Sequence, residues 1–245
     1  MNDRWLLILG ANSDIAVETA HQFAKNSWNL LLASRDISNL NKVASDIEIK
    51  HQVRVKTFEF DASDFKSHNS FYENLPYKPD GVILAFGYLG DQQRAQKNFG
   101  EAKKTLDTNF TGAVSILEII AEDFTERKIG FIVGISSVAG ERGRQENYIY
   151  GSSKAGFSAY LSGLRQRLYK VNIHVMTVKP GFVRTKMTLN RDLPGIITAD
   201  PKDVGIAIYK GILKKRNIIY VYPVWRLIMF IVKSIPETIF RRLDI

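Results

Sequence analysis

Short apolar runs alternate with longer amphipathic stretches along the 245 residues of this chain. Seven runs rich in Leu, Ile, Val and Phe predict strands at Trp5–Leu9, Asn29–Ala33, Val53–Phe60, Gly81–Phe86, Gly130–Ile135, His174–Val178 and Ile218–Val221. Their apolar positions are nearly continuous rather than alternating, which is typical of parallel strands that are covered on both faces.

Six stretches between these runs have helical periodicity. They predict helices at Asp14–Asn26, Ile37–His51, Asp64–Asn74, Ala102–Arg127, Tyr148–Lys170 and Pro201–Lys215. Each is long enough to carry the chain back across a sheet in a right-handed crossover. Since no linker or repeat divides the sequence, we predict an α/β fold. Residues 1–245 form one Rossmann-type domain with a doubly wound parallel sheet of about seven strands.

Composition narrows the possible chemistry. The chain is 45% hydrophobic and 24% charged, which indicates an ordinary globular protein. It has no cysteine, which excludes disulfides, thiol nucleophiles and iron–sulfur clusters. The four histidines have no paired spacing and no G-x-S-x-G motif occurs, so neither a metal site nor a serine hydrolase is predicted.

Positive charge is concentrated near the C-terminus. The net charge is +9, and the segment from Lys210 to Ile245 contains eight basic and two acidic residues. Residues 220–245 therefore form a basic amphipathic tail. It fits either the surface of an anionic membrane or packing in the core or between subunits. The longest apolar stretch of the whole chain, Ile218–Val232, is interrupted by Pro223 and Arg226 and is shorter than the roughly 20 residues of a membrane span.

The first apolar run, Trp5–Leu9, is too short for a secretory signal. We therefore predict a cytoplasmic protein, with a peripheral position on the inner face of the membrane if the tail binds lipid. A nucleic-acid-binding module is the least favoured class, because aromatic and basic residues interleave only in the tail.

The turn after the first strand indicates a dinucleotide site. Gly10 allows a tight turn, and the following helix begins with N–H groups that can face a pyrophosphate. The predicted cofactor contacts here are Gly10, Asn12, Ser13, Asp14 and Ile15. A plain strand–turn–helix unit is the alternative, since a full fingerprint has three glycines.

The next two strand ends bear on the type of cofactor. Arg35 follows the second strand and suits a 2′-phosphate, which favours NADP(H) and leaves NAD(H) open. Asp61, followed by Ala62, is a candidate acceptor for an adenine amino group, while Ser63 or Asp64 suits a helix cap.

Three residues carry the candidate chemistry. Tyr150 and Lys154 are four residues apart, so a helix places them on one face. An ammonium group beside a phenol favours the phenolate, which makes Tyr150 a candidate general acid and base. Ser137 follows the fifth strand and can polarise a carbonyl oxygen. A surface Tyr–Lys pair and a turn serine are the simpler alternatives.

Further candidates surround this set. Asn109, inside a predicted helix, either holds a water in a proton chain or is a packing residue. The turn after the sixth strand adds cofactor candidates: Pro180, Gly181, Val183 and Thr185, of which Thr185 can bond a carboxamide. Arg142 and Arg144 are candidates for a substrate phosphate, or are solvated loop charges.

Taken together, these motifs resemble the short-chain dehydrogenase/reductase superfamily over the whole chain, from the turn Gly10–Ala16 to Thr185. The resemblance implies hydride transfer from a nicotinamide and a homodimer or homotetramer formed through the long helices. It also implies residue roles: Tyr150 as proton donor, Ser137 as carbonyl polariser, Lys154 as ribose ligand, and Asn109 as holder of a relay water.

The sequence departs from the family pattern at two places. Leu9, Asp14 and Ala16 replace three positions of T-G-x-x-x-G-x-G, so that Asp14 either faces the pyrophosphate or points into solvent. The family's Asn-Asn-Ala-Gly is Leu84–Gly87 here, and only Gly87 is retained as a cofactor contact.

A narrower resemblance concerns the substrate. Four segments, Ala85–Gln92, Ser136–Arg144, Lys179–Met187 and Ile235–Ile245, are similar to the reductases that partner decaprenylphosphoryl-ribose 2-epimerases. This implies reduction of a 2-keto sugar carried on a polyprenyl phosphate. The alternative is a general carbonyl or 3-oxoacyl reductase that acts on soluble substrates.

Overall fold

The computed structural model of the protein describes residues 3–189 and 192–243. The predicted α/β fold is confirmed, because the seven predicted strands form one parallel sheet in the order β3-β2-β1-β4-β5-β6-β9. These strands are β1 Trp5–Leu9, β2 Asn29–Ser34, β3 Val55–Glu59, β4 Gly81–Leu84, β5 Phe131–Ile135, β6 His174–Pro180 and β9 Ile218–Val221. The short strands β7 (Phe182–Val183) and β8 (Thr198–Ala199) pair separately.

The strand register brings the carboxyl ends together at one edge. Leu9 at the end of β1 pairs with Ala33 on β2 and with Leu84 on β4. The strand order reverses between β1 and β4, which is where an open parallel sheet forms its ligand crevice. The sheet therefore positions the loops after β1, β2, β4, β5 and β6 around a single cleft.

Helices cover both faces of the sheet. They are α1 Asp14–Ala24, α2 Ile37–His51, α3 His68–Glu73, α4 Gln92–Lys97, α5 Phe99–Leu106, α6 Gly112–Arg127, α7 Tyr148–Tyr169, α8 Pro201–Leu213, α9 Val224–Ser234 and α10 Glu237–Phe240. One core packs α1, α2 and α8 against the sheet, and a second core packs α3, α6 and α7 against the opposite face. The nearly continuous apolar strands follow from this double covering.

Two predicted segments differ in detail from the structure. The predicted helix Ala102–Arg127 is divided by a π-helical turn at Asp107–Thr111, and regular helix in the segment Asp64–Asn74 begins only at His68. The C-terminal tail folds into α9 and α10, while Asp244 and Ile245 lie outside the described residues. Among the described residues, no helix has both the length and the apolar character needed to cross a bilayer.

Candidate active site

A cavity of about 310 Å³ lies at the carboxyl edge of the sheet. It brings Ser137, Tyr150 and Lys154 together, although they come from the turn after β5 and from α7. The other predicted site residues in its wall are Asn12, Ser13, Asp14, Ile15, Gly87, Arg144, Pro180, Gly181, Val183 and Thr185. This cavity, which we call the main cavity, therefore joins the candidate catalytic residues to most of the candidate cofactor contacts.

A second cavity, of about 190 Å³, adjoins the first and shares Asn12, Ser13 and Gly87 with it. Its wall contains the remaining predicted cofactor contacts, Gly10, Arg35, Asp61 and Ala62. The two cavities form one elongated cleft that crosses the switch point between β1 and β4. Such a cleft suits a dinucleotide with its adenosine half at Arg35 and Asp61 and its nicotinamide half at Tyr150.

Lys154 is held inside the protein with its ammonium at the cavity. Its Nζ donates a 3.0 Å hydrogen bond to the carbonyl oxygen of Ile135, at the end of β5, and lies 5.8 Å from the centroid of the Tyr150 ring. Burial lowers the pKa of Lys154 to about 8. A lysine that titrates near neutrality beside a phenol is suited to adjusting the protonation of that phenol.

Two serines fix the turn after β5. The Oγ of Ser137 accepts a 3.1 Å hydrogen bond from the Ala139 N–H, so Ser137 caps a short 3₁₀ turn, and its hydroxyl proton remains available for a ligand. The Oγ of Ser136 donates to the Lys154 carbonyl at 3.0 Å. The second contact anchors α7 directly on the turn that carries Ser137.

Asn109 lies behind the cavity rather than in its wall, in the π-helical turn between α5 and α6. Its side chain accepts from the Tyr88 N–H at 2.7 Å and donates to the Tyr88 carbonyl at 2.8 Å. A Cβ on Gly87 would lie 3.4 Å from Oδ1 of Asn109 and 3.5 Å from Nζ of Lys154. Asn109 and Lys154 thus approach Gly87 from two different helices. The π-helical turn that carries Asn109 is a feature that often marks functional sites.

The turn at Gly10 has the geometry that a dinucleotide needs. Gly10 has a φ of +82°, and a Cβ at this position would overlap the backbone of Phe86. The Oγ of Ser13 accepts the Ala16 N–H and caps α1, while the N–H groups of Asp14 and Ile15 have no acceptor within the helix. Because both residues line the main cavity, these N–H groups fit a bound pyrophosphate.

The Asp14 side chain is bound by the loop after β7. Its Oδ2 accepts a 2.7 Å hydrogen bond from the backbone N–H of Lys186, and Nζ of Lys186 lies 3.6 Å from its Oδ1. The family departure at position 14 therefore links the start of α1 to the loop after β7. This lysine offsets the negative charge that Asp14 brings to the cleft.

Asp61 and Arg35 form the other end of the cleft. Oδ1 of Asp61 accepts from the N–H and the Oγ of Ser63, so this carboxylate is held in place. Burial alone would raise the pKa of Asp61, but the Ser63 hydrogen bonds and the charge of Arg35 outweigh burial and lower it. Arg35 is exposed beside the cavity, where a ligand phosphate can reach it.

The structure separates the two arginines that were candidates for a substrate phosphate. Arg144 lines the main cavity, whereas Arg142 lines neither part of the cleft. Arg142 instead donates to the carbonyl oxygens of Val232 and Ile235, pairs with Glu237, and lies over the ring of Phe240. Arg142 therefore anchors the C-terminal helices, a role that the sequence interpretation missed.

Trp225, a tail residue that was not among the predicted site residues, also lines the main cavity. Its Nε1 donates to the Ile197 carbonyl at 3.0 Å, and its ring packs with Val138 and Met229. The available signal was the spacing of four residues between Trp225 and Met229, which places both on one face of α9.

A buried carboxylate fastens α9 to the rest of the domain. Glu141 pairs with Lys179 on β6 and with Lys233 on α9, and it accepts a hydrogen bond from the Tyr220 hydroxyl at 2.9 Å. Burial alone would raise the pKa of Glu141, but these three contacts lower it to about 2. The tail is thereby fixed against the turn that carries Ser137.

The chain is similar to known dehydrogenases and oxidoreductases over most of its length. The family model for short chain dehydrogenases matches residues 4–193. An oxidoreductase of Streptomyces coelicolor is 35% identical over 98% of this chain and 96% of its own. The NADP-dependent 3-hydroxy acid dehydrogenase of Schizosaccharomyces pombe is 27% identical over 89% of this chain and 90% of its own.

A solved structure has the same architecture. The short-chain dehydrogenase from Sphingobium yanoikuyae in complex with NADPH superposes with a TM-score of 0.82 at 21% identity. The alignment covers 96% of this chain and 97% of that protein. At this level of identity, the comparison supports the fold.

Proposed function

Because the chain belongs to the short-chain dehydrogenase family, we propose that it is an NADP(H)-dependent reductase that converts a ketone to an alcohol. The observation that carries this proposal is the single cavity that Ser137, Tyr150 and Lys154 line together. The adjoining cavity with Arg35 and Asp61 supports binding of a dinucleotide phosphorylated at its adenosine end. NAD(H) is the alternative cofactor.

A reduced nicotinamide bound in this cleft would supply the hydride that the carbonyl carbon accepts. The Ser137 hydroxyl donates a hydrogen bond to the carbonyl oxygen, where negative charge develops. Tyr150 gives its proton to that oxygen, which completes the alcohol. The Lys154 ammonium favours the phenolate that remains, and Asn109 holds the water that returns a proton to Tyr150 through Lys154.

For the substrate, we propose a 2-keto sugar carried on a polyprenyl phosphate. Two features support it. Arg144 brings a positive charge into the main cavity, and Trp225 lines that cavity from a helix whose outer face exposes Leu227, Phe230 and Ile231. That exposed face fits the surface of an anionic membrane, which would place the enzyme peripherally on its cytoplasmic side.

The second candidate is a reductase of soluble 3-oxoacyl or other carbonyl compounds. The similarity to the NADP-dependent 3-hydroxy acid dehydrogenase of Schizosaccharomyces pombe supports this candidate. The rate at which the purified protein oxidises NADPH distinguishes the two candidates. A higher rate with a polyprenyl-phosphate 2-keto-pentose supports the first candidate, and a higher rate with a 3-oxoacyl thioester supports the second.

The catalytic assignment is tested with Tyr150→Phe. We expect the turnover number for ketone reduction to fall at least about a hundredfold, because the proton donor is lost. Binding of NADPH, measured by fluorescence, should persist and shows that the variant is folded. Turnover close to that of the wild type would refute the assignment.

The homodimer or homotetramer stays a prediction. Sedimentation of the purified chain measures its oligomeric state.

A further inference from the structure

Buried polar atoms without a hydrogen-bond partner cluster beside Tyr150. Across the described residues, buried side-chain atoms of this kind occur at three positions: Nε2 of Gln92, Nε of Arg144 and Oδ1 of Asn147. Arg144, Asn147 and Tyr150 line the main cavity, and Gln92, Asn147 and Tyr150 line a small cavity of about 20 Å³ next to it. Buried polar groups are normally satisfied, so such a cluster calls for an explanation.

The start of α7 shows why Asn147 is left without a partner. Asn147 is the N-cap of α7, where an asparagine side chain normally accepts an N–H from the first turn. Here the Ile149 N–H is taken by Oε1 of Gln92, at 3.1 Å. Gln92 therefore caps α7 in place of Asn147. Oδ1 of Asn147, a residue that lines both cavities, is left without a partner among the described residues.

Arg144 is the cationic member of the cluster. No salt bridge to its guanidinium is found in the part of the chain that the structure describes, although Glu146 lies near enough to act on its charge. Burial lowers the pKa of Arg144 from its ordinary value. A half-buried guanidinium that forms no salt bridge with the described residues suits an anionic ligand, to which it can offer a bidentate hydrogen bond.

The position of the cluster favours the substrate over the cofactor. The small cavity lined by Gln92, Asn147 and Tyr150 includes no residue of α1, whose N-terminus fits the pyrophosphate. Arg144 lines the main cavity, and its carbonyl oxygen accepts a 3.1 Å hydrogen bond from the Asn147 N–H, so both residues belong to one turn beside Tyr150. We propose that Arg144 and Asn147 form a substrate subsite, in which Arg144 binds an anionic phosphate and Asn147 accepts a hydrogen bond from a hydroxyl. This inference rests on the proposed reductase function, and it narrows the substrate class to phosphorylated hydroxyketones.

Dihydroxyacetone phosphate is a suitable probe, because its phosphate is one carbon from the ketone and its other arm carries a hydroxyl. Dihydroxyacetone lacks the phosphate, and hydroxyacetone phosphate lacks the free hydroxyl. Equilibrium binding of each to the NADP⁺-saturated protein is measured by calorimetry, which requires no turnover. The wild type should bind dihydroxyacetone phosphate at least about tenfold more tightly than either of the other two.

Arg144→Gln should weaken binding of dihydroxyacetone phosphate by about 10- to 100-fold and leave dihydroxyacetone nearly unaffected. Asn147→Ala should remove the preference over hydroxyacetone phosphate. Arg94→Gln, on the exposed side of α4, removes the same charge and should leave binding unchanged. The affinity for NADPH should also be retained in Arg144→Gln.

Three results would overturn the subsite. The first is that the wild type binds dihydroxyacetone phosphate and dihydroxyacetone equally well. The second is that Arg94→Gln weakens binding of dihydroxyacetone phosphate as much as Arg144→Gln does. The third is a loss of NADPH affinity in Arg144→Gln, which would assign Arg144 to the cofactor. Failure of the reductase proposal looks different. In that case the binding contrast is retained, but neither the preferred probe nor any other ketone leads to oxidation of NADPH.

Discussion

The indole of Trp225 occupies the space that a side chain at Gly181 would need. A Cβ on Gly181 would overlap the indole, and both residues line the main cavity. Helix α9 is therefore part of the wall of the site, directly against the turn that ends β6. A change at either residue should affect both the stability of the tail and the shape of the cavity.

We expect Gly181→Ala to lower the free energy of unfolding by about 1–3 kcal/mol, because the added methyl group displaces the indole from a packed position. Thermal unfolding and tryptophan fluorescence measure this effect. Gly163→Ala is the matched control: a Cβ on Gly163, in α7, meets no atom within 4 Å. Since alanine favours helix, this control should raise stability by about 0.5–1 kcal/mol. Equal stability of the two variants would contradict the packing argument.

A second prediction concerns the pH dependence of reduction. Burial lowers the pKa of Lys154 to about 8 from an ordinary value of 10.5. Above pH 8 the folded protein loses the charge that favours the Tyr150 phenolate, so kcat/KM for ketone reduction should fall. The effect of this lysine on stability runs in the opposite direction. Between pH 8 and 10.5 the unfolded chain binds more protons at Lys154 than the folded protein does, so the contribution of Lys154 to the free energy of unfolding rises with pH.

Lys154→Arg tests the origin of this alkaline limb, since a guanidinium keeps its charge throughout this pH range. The limb should move to higher pH, even if the overall rate is lower. Thermal unfolding shows whether the arginine is accommodated. An alkaline limb that stays near pH 8 in a folded Lys154→Arg variant would assign the titration to another group.

The parts of the molecule that sequence predicted depend on local pattern. The continuous apolar run at Trp5–Leu9 and the four-residue spacing of Tyr150 and Lys154 are visible without knowledge of packing, and the structure places both as expected. Contacts that join distant segments were not predictable. Arg142 meets the Val232 carbonyl 90 positions away, and Trp225 reaches the cavity through a helix that periodicity describes only as amphipathic. Periodicity identifies the buried face of an element but not its partner.

A third prediction addresses the preference for NADP(H). Arg35 lines the adenosine end of the cleft and is exposed to a ligand. Arg35→Gln should raise the KM for NADPH by about 10- to 100-fold, because a charged hydrogen bond to the 2′-phosphate is lost, while the KM for NADH should change little. Lys42→Gln removes a charge from the exposed surface of α2 and serves as the control. A parallel loss with both nucleotides would place Arg35 outside the recognition of the 2′-phosphate.

The last prediction concerns the outer face of α9. Leu227, Phe230 and Ile231 are 60%, 67% and 54% exposed. The neighbouring Arg226 is exposed as well, and Lys233 is exposed although it pairs with Glu141. An apolar face flanked by basic residues suits the headgroup region of an anionic bilayer. We expect the protein to sediment with vesicles that contain phosphatidylglycerol, and the bound fraction should fall as salt is raised, since the basic residues contribute through screened charge.

Replacing Leu227, Phe230 and Ile231 by glutamine should lower vesicle affinity at least about tenfold, because three apolar side chains no longer leave water. The control replaces Ile49, Phe99 and Ile129, which are comparably exposed elsewhere on the protein, and should bind vesicles as the wild type does. Wild-type protein that stays in the supernatant would contradict membrane docking. If the α9 variant instead changes the sedimentation coefficient of the free protein, this face is covered by a second copy of the chain, and the tail serves assembly rather than the membrane.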